Sequence, residues 1–162
     1  MHRYLIIANQ TLGGAELGDA VRERIAAGPC EFWVVVPATP VTHLEPAYLA
    51  MPVMGGLPAV TGTPEEAEAV ARTRLELALK QLRALGATVD GEVGEPDPLR
   101  AAKAATSGHE FSEIIVSTLP TRLSRWLHQD LPHRLERQLQ QRVVLVTSTE
   151  PAQAEAGRPE RR

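Results

Sequence analysis

Short runs of β-branched and aliphatic residues alternate with longer stretches of helical periodicity along the chain. The runs at 4–8, 32–36, 113–117 and 143–147 are continuously apolar, the pattern of strands buried on both faces of a parallel sheet. A further run at 88–93 is half polar and reads as an edge strand. Between the runs lie helices, the clearest over 64–85. Thr63 is its N-cap, Pro64 takes the first helical position, and Glu65 and Glu66 complement the macrodipole in the first turn. Leu75, Ala78, Leu79, Leu82 and Leu85 form one apolar stripe, and Gly86 ends the helix as a left-handed cap.

A helix over 15–27 buries Leu17, Val21 and Ile25 and stops at Gly28-Pro29. Another, over 98–106, starts from Asp97 and ends near Gly108. The last helical stretch covers 123–140, where Pro132 forces either a kink or a break and restart. Strict alternation of strand and helix argues for an α/β fold, an open, doubly wound parallel sheet. The 162 residues suit one domain, over 1–147. The segment 148–162 mixes Pro, Glu, Ala, Gln and Arg without periodicity and reads as a disordered C-terminal tail. The connection 38–62 is long and rich in Pro and Gly, yet also in Leu, Met and Val, which suits a lid or an oligomer contact.

Composition narrows the function. Aromatic residues are only 4% of a chain that is 43% hydrophobic, so the core is built from Ala, Leu, Val and Ile. Lys+Arg 17 against Asp+Glu 20 gives −3, without the basic excess of a nucleic-acid or anionic-membrane partner. The first apolar run is too short for a signal sequence or a membrane span, so a cytoplasmic protein is expected. Cys30 is the sole cysteine, which excludes an intrachain disulfide and reads as a packing thiol at the start of a strand. His128, Asp130 and His133 lack the His-x-x-x-His spacing of a helical zinc site, and no metal is expected. Walker A, Gly-x-Gly-x-x-Gly and Gly-x-Ser-x-Gly motifs are all absent, and no catalytic residue is assigned.

In an open α/β sheet the ligand crevice lies at the carboxyl ends of strands where the winding reverses. The first and fourth strands are the natural pair. Their ends carry Asn9, Gln10, Thr11, Gly13 and Gly14 on one side and Ser117, Thr118, Thr121, Arg122, Ser124 and Arg125 on the other. Hydroxyls and forked guanidinium groups ahead of a helix suit a phosphate, although Ser124 as a helix cap with two solvated arginines explains the same residues. Gly13-Gly14 either lets a phosphate approach closely or makes a tight turn.

The run Val93-Gly94-Glu95-Pro96-Asp97-Pro98-Leu99-Arg100-Ala101-Ala102 resembles the Gly-Asp-Pro turn and following helix of universal stress proteins. Glu113-Ile114-Ile115-Val116, then Leu123-Ser124-Arg125-Trp126-Leu127, a helix, and Val143-Val144-Leu145-Val146 resemble the C-terminal half of the same family. The resemblance covers 3–147 in organisation, with its motif content confined to 93–147. It implies a parallel sheet in the order 3-2-1-4-5, the adenine-nucleotide alpha-hydrolase-like architecture. It also implies a cytoplasmic homodimer paired through Val143, Val144, Leu145 and Val146, acting in stress survival without a defined catalytic activity. ATP or another nucleotide is the ligand of one branch of that family. The acidic residue that ends the family's first strand falls on Asn9, and the residue near the adenine falls near Pro37 and Ala38.

ATP-binding members carry Gly-x-x-Gly and, further on, Gly-Ser/Thr after the fourth strand, whereas no glycine stands between Ser117 and Leu131 here. Each missing glycine adds a Cβ where backbone approaches phosphate, and Pro120 removes an N–H donor. Arg122 and Arg125 would then bind an anion in another way. The expected function is a regulatory protein that binds a nucleotide or other phosphorylated anion at the ends of the first and fourth strands, or binds none. The alternatives are an enzyme of the wider nucleotide-binding superfamily acting on an adenylated or phosphorylated substrate, with His128 or Asp130 as its base, and a ligand-free interaction scaffold.

Overall fold

The computed structural model describes residues 1–9, 11–39, 63–119 and 125–148. The expected lid or contact segment beyond Thr39, the expected tail beyond Ser148, and Gln10, Thr121, Arg122 and Ser124 lie outside the described residues, as do the side chains of Arg125 and His128. The five apolar runs become strands β1 (His2–Ile7), β2 (Cys30–Pro37), β3 (Val89–Gly94), β4 (Glu113–Thr118) and β5 (Val143–Thr147). They form one parallel sheet in the order β3-β2-β1-β4-β5. The helices are α1 (Ala15–Ala27), α2 (Pro64–Ala84), α3 (Pro98–Thr106), α4 (Arg125–His128) and α5 (Leu131–Leu139).

Alternation along each strand sends successive side chains to opposite faces, which is why the central strands are apolar without a break. On one face Ile6, Val34, Val36 and Ile115 pack against Leu17 and Val21 of α1 and Ala71, Leu75, Ala78, Leu79 and Leu82 of α2. On the other, Leu5, Ile7, Val35, Ile114 and Val116 meet Leu99, Ala102 and Ala105 of α3 and Leu131 and Leu135 of α5. The half-polar β3 is an edge strand, as its pattern suggests. The continuously apolar β5 departs from its pattern. It is the opposite edge, half-buried along its length, with Leu145 43% exposed, because among the described residues no further strand flanks it.

The helix ends follow their local chemistry. Thr63 Oγ1 accepts a 3.2 Å hydrogen bond from the Glu66 amide, and Asp97 Oδ1 accepts one of 2.8 Å from the Leu99 amide. Gly86 adopts φ +94 just past the last turn of α2. A Cβ on Gly94 would lie 2.6 Å from the Ala101 Cβ, so glycine there lets α3 close onto the end of β3. The stretch around Pro132 breaks and restarts: Asp130 takes a left-handed conformation (φ 57) between α4 and α5, and Pro132 falls in the first turn of α5.

At the amino end of β4, the buried Glu113 carboxylate accepts from both Nε (2.9 Å) and Nη2 of Arg24. Its other oxygen lies 3.4 Å from Arg142 Nε. This cluster ties α1 to β4 and to the segment leading into β5, with the Arg24 guanidinium 5.4 Å above the Tyr4 ring. Cys30 opens β2 half-buried, and burial pushes its thiol up, opposed by the charge of Arg24. A raised thiol is a poorer nucleophile, in keeping with a packing role. Among the described residues no helix is long and apolar enough to cross a membrane.

Candidate functional site

The chain leaves β1 to cover one face of the sheet with α1, and leaves β4 to cover the other with α5. β1 and β4 are adjacent, with Ile6 opposite Ile115 and Ile7 opposite Val116, so the winding reverses between them, the position at which open α/β sheets place a ligand.

Thr11 and Ser117 meet at that switch point. Their hydroxyl oxygens lie 2.6 Å apart, and both residues are buried. Next to them the Gly14 amide donates to the Thr11 carbonyl at 3.0 Å, forming the turn into α1. A Cβ on Gly14 would sit 3.1 Å from that carbonyl and 3.8 Å from the Ser148 hydroxyl, so glycine gives the turn its close fit. Gly14 is also the N-cap of α1 and makes no side-chain cap hydrogen bond. The Ser148 amide donates to the Thr118 carbonyl at 2.8 Å, and Thr118 Oγ1 donates to the Leu119 carbonyl at 3.0 Å. Gly13 is exposed, near the side-chain carbonyl of Gln81.

Asn9 builds the other wall. Its Nδ2 donates to the Pro37 carbonyl at 2.9 Å, joining the ends of β1 and β2, and its Oδ1 accepts a 2.6 Å hydrogen bond from Arg74 Nη1 on α2. Beyond Pro37, Ala38 helps line a cleft of about 620 Å³ with Thr63, Ala67, Arg72, Gly94 and Pro96. The Ala38 amide donates to the Gly94 carbonyl at 3.0 Å.

The residues expected from sequence therefore fall into two linked groups, Thr11, Gly14, Ser117 and Thr118 at the switch point and Asn9, Pro37 and Ala38 toward β2. Arg125 opens α4. Asp130, a candidate base, lies exposed at the start of α5, 2.7 Å from His133 Nδ1. Among the described residues no three His, Cys, Asp or Glu side chains are grouped to hold a metal ion.

Sheet order and helix placement are shared with solved structures. A universal stress protein in complex with cAMP superimposes with a TM-score of 0.55 at 15% identity, over 91% of this chain and 98% of that one. A universal stress protein from Archaeoglobus fulgidus gives 0.56 at 11% identity, over 90% and 93%. The fold is that of the universal stress proteins. No family model matches the sequence, and no curated protein matches it.

Within this universal-stress-protein fold, the site holds one residue that the sequence pattern did not bring forward. Arg74 lies on the same stripe of α2 as Ala67, Ala71 and Ala78, at offsets of seven, three and four residues, and all three alanines are buried. It is half-buried, and burial pushes its guanidinium down to about 10. A lone arginine on an alanine stripe was the available signal.

Proposed function

We propose that this chain is a regulatory protein that binds a nucleotide or another phosphorylated anion at the carboxyl ends of β1 and β4. The observation that carries this reading is the meeting of the Thr11 and Ser117 hydroxyls at the point where the winding reverses. Both are buried, both can turn toward an anion, and the Gly13-Gly14 turn brings backbone amides at the start of α1 alongside. The solved universal stress protein that carries cAMP supports a nucleotide as the ligand class. Stress response and a cytoplasmic setting go with that reading. Pairing of two copies through Val143, Val144, Leu145 and Val146 is supported by the exposed Leu145 on an otherwise apolar edge strand.

A thermal-shift titration of nucleotide-stripped protein with ATP, with and without magnesium, with cAMP and with pyrophosphate tests the proposal. Ligand at about 100 times its dissociation constant adds about 2.7 kcal/mol, or roughly 5–10 °C for a domain of this size. A saturable shift of that order is expected with at least one of them. The absence of any shift at millimolar ATP, cAMP and pyrophosphate would overturn the proposal.

A further inference from the structure

Among the described residues Arg74 is a cation without a charged partner, in a place that disfavours cations. Its hydrogen bond goes to the neutral amide oxygen of Asn9, and among the described residues no carboxylate lies within ion-pair distance of it. The neighbouring arginine on the helix contrasts with it: Arg72 pairs with Glu68 at 3.0 Å and is well exposed. Withdrawing a guanidinium from water among apolar side chains costs free energy unless an opposite charge arrives. The effect is visible in its lowered basicity.

Asn9 in turn is engaged on both sides of its amide. Its Nδ2 holds the Pro37 carbonyl and its Oδ1 holds Arg74, so the oxygen that ends β1 faces an internal donor. A guanidinium has five N–H donors and no acceptor, and the Nη1 hydrogen bond to Asn9 engages one of them.

We infer that Arg74, positioned by Asn9, is a further residue of this site that contacts the ligand, and that it takes an anionic oxygen at the end of the site nearest β2. The inference rests on the reading of the β1–β4 end as a phosphorylated-ligand site and names the charge that such a ligand presents there. The planar fork suits a phosphate or carboxylate oxygen pair, and a neutral ribose or base edge leaves the buried charge uncompensated. Asn9 is a positioning residue that acts through Arg74.

Isothermal titration of the full chain with pyrophosphate, ATP and the uncharged nucleoside adenosine tests this, using wild type, Arg74→Gln and Asn9→Asp. Arg74→Gln keeps a hydrogen-bond donor for Asn9 and removes the charge. Asn9→Asp keeps the arginine and supplies it with an internal carboxylate while giving up the Nδ2 hydrogen bond to Pro37, so the unfolding midpoint of each variant is measured first and only folded protein is titrated. Both variants are expected to lose at least tenfold in affinity for pyrophosphate and ATP, with adenosine weak in all three proteins. ATP bound equally well by wild type and Arg74→Gln, or adenosine bound as tightly as ATP, would overturn the inference while leaving the site in place. Pyrophosphate binding that depends on Arg74, with no binding of ATP, would uphold the inference and remove the nucleotide. A folded wild type that binds no anion would overturn both.

Discussion

The side chains of Asn9 and Arg74 stand 65 residues apart in the chain and 2.6 Å apart in the fold. One ends the central strand and the other projects from the middle of α2, so the bond joins the sheet to the helix beside the switch point. The same amide reaches the Pro37 carbonyl, and one side chain thus spans β1, β2 and α2.

Asn9→Ala removes both bonds and leaves a buried carbonyl and a half-buried cation without their partner. Hydrogen bonds to charged groups contribute about 1.5–3 kcal/mol, so a loss of about 2 kcal/mol or more is expected in urea unfolding. An unchanged midpoint would mean that Asn9 does not hold this corner of the fold together.

The Arg24–Glu113–Arg142 cluster makes a second test of stability. Glu113→Ala leaves Arg24 largely buried without its carboxylate, and breaking a buried pair costs about 3–5 kcal/mol. Denaturant titration should show a fall of about 3 kcal/mol, more than loss of the exposed Arg22–Asp19 pair, for which Asp19→Ala should cost under about 1 kcal/mol. Equal effects would contradict the packing described for Glu113.

Core truncations gauge the packed layer between the sheet and α1 and α2. Ile115 is fully enclosed on the central β4, and Leu79 packs from α2 onto the same face. Leu79→Ala and Ile115→Ala should each cost about 2–5 kcal/mol, with the larger loss at Ile115. A loss below about 1 kcal/mol at either would show that its side chain is not packed as described.

The fold was legible because local and global signals agree. Continuous apolar runs marked the central strands, Thr63 and Asp97 marked helix starts, and the strand-helix alternation led to the doubly wound sheet. β5 was misjudged in its burial because an apolar strand at a sheet edge has the same sequence signature as a central one. Within the site, Thr11 and Ser117 were legible as strand-end hydroxyls, since Ser117 closes one buried run and Thr11 lies three residues beyond another. Their contact was not, because it depends on how β1 and β4 align. Arg74 escaped notice because an arginine on a charged helix ordinarily faces water, and only its spacing from Ala67, Ala71 and Ala78 betrays its inward position.

The edge position of β5 gives a prediction about assembly. Placing a charge on its exposed apolar residue, Leu145→Lys, should convert a dimer to a monomer in sedimentation velocity with little change in the unfolding midpoint. A wild type that sediments as a monomer at tens of micromolar would contradict pairing through this strand.

The site itself is tested most directly by mapping amide NMR shifts as ATP is titrated into the isotope-labelled protein. The account predicts that the largest changes fall on Asn9, Thr11, Gly13, Gly14, Ser117 and Thr118, around the joined ends of β1 and β4. Changes concentrated instead at the opposite end of the sheet, in the groove of Arg3, Trp33, Asp90 and His109, would contradict it.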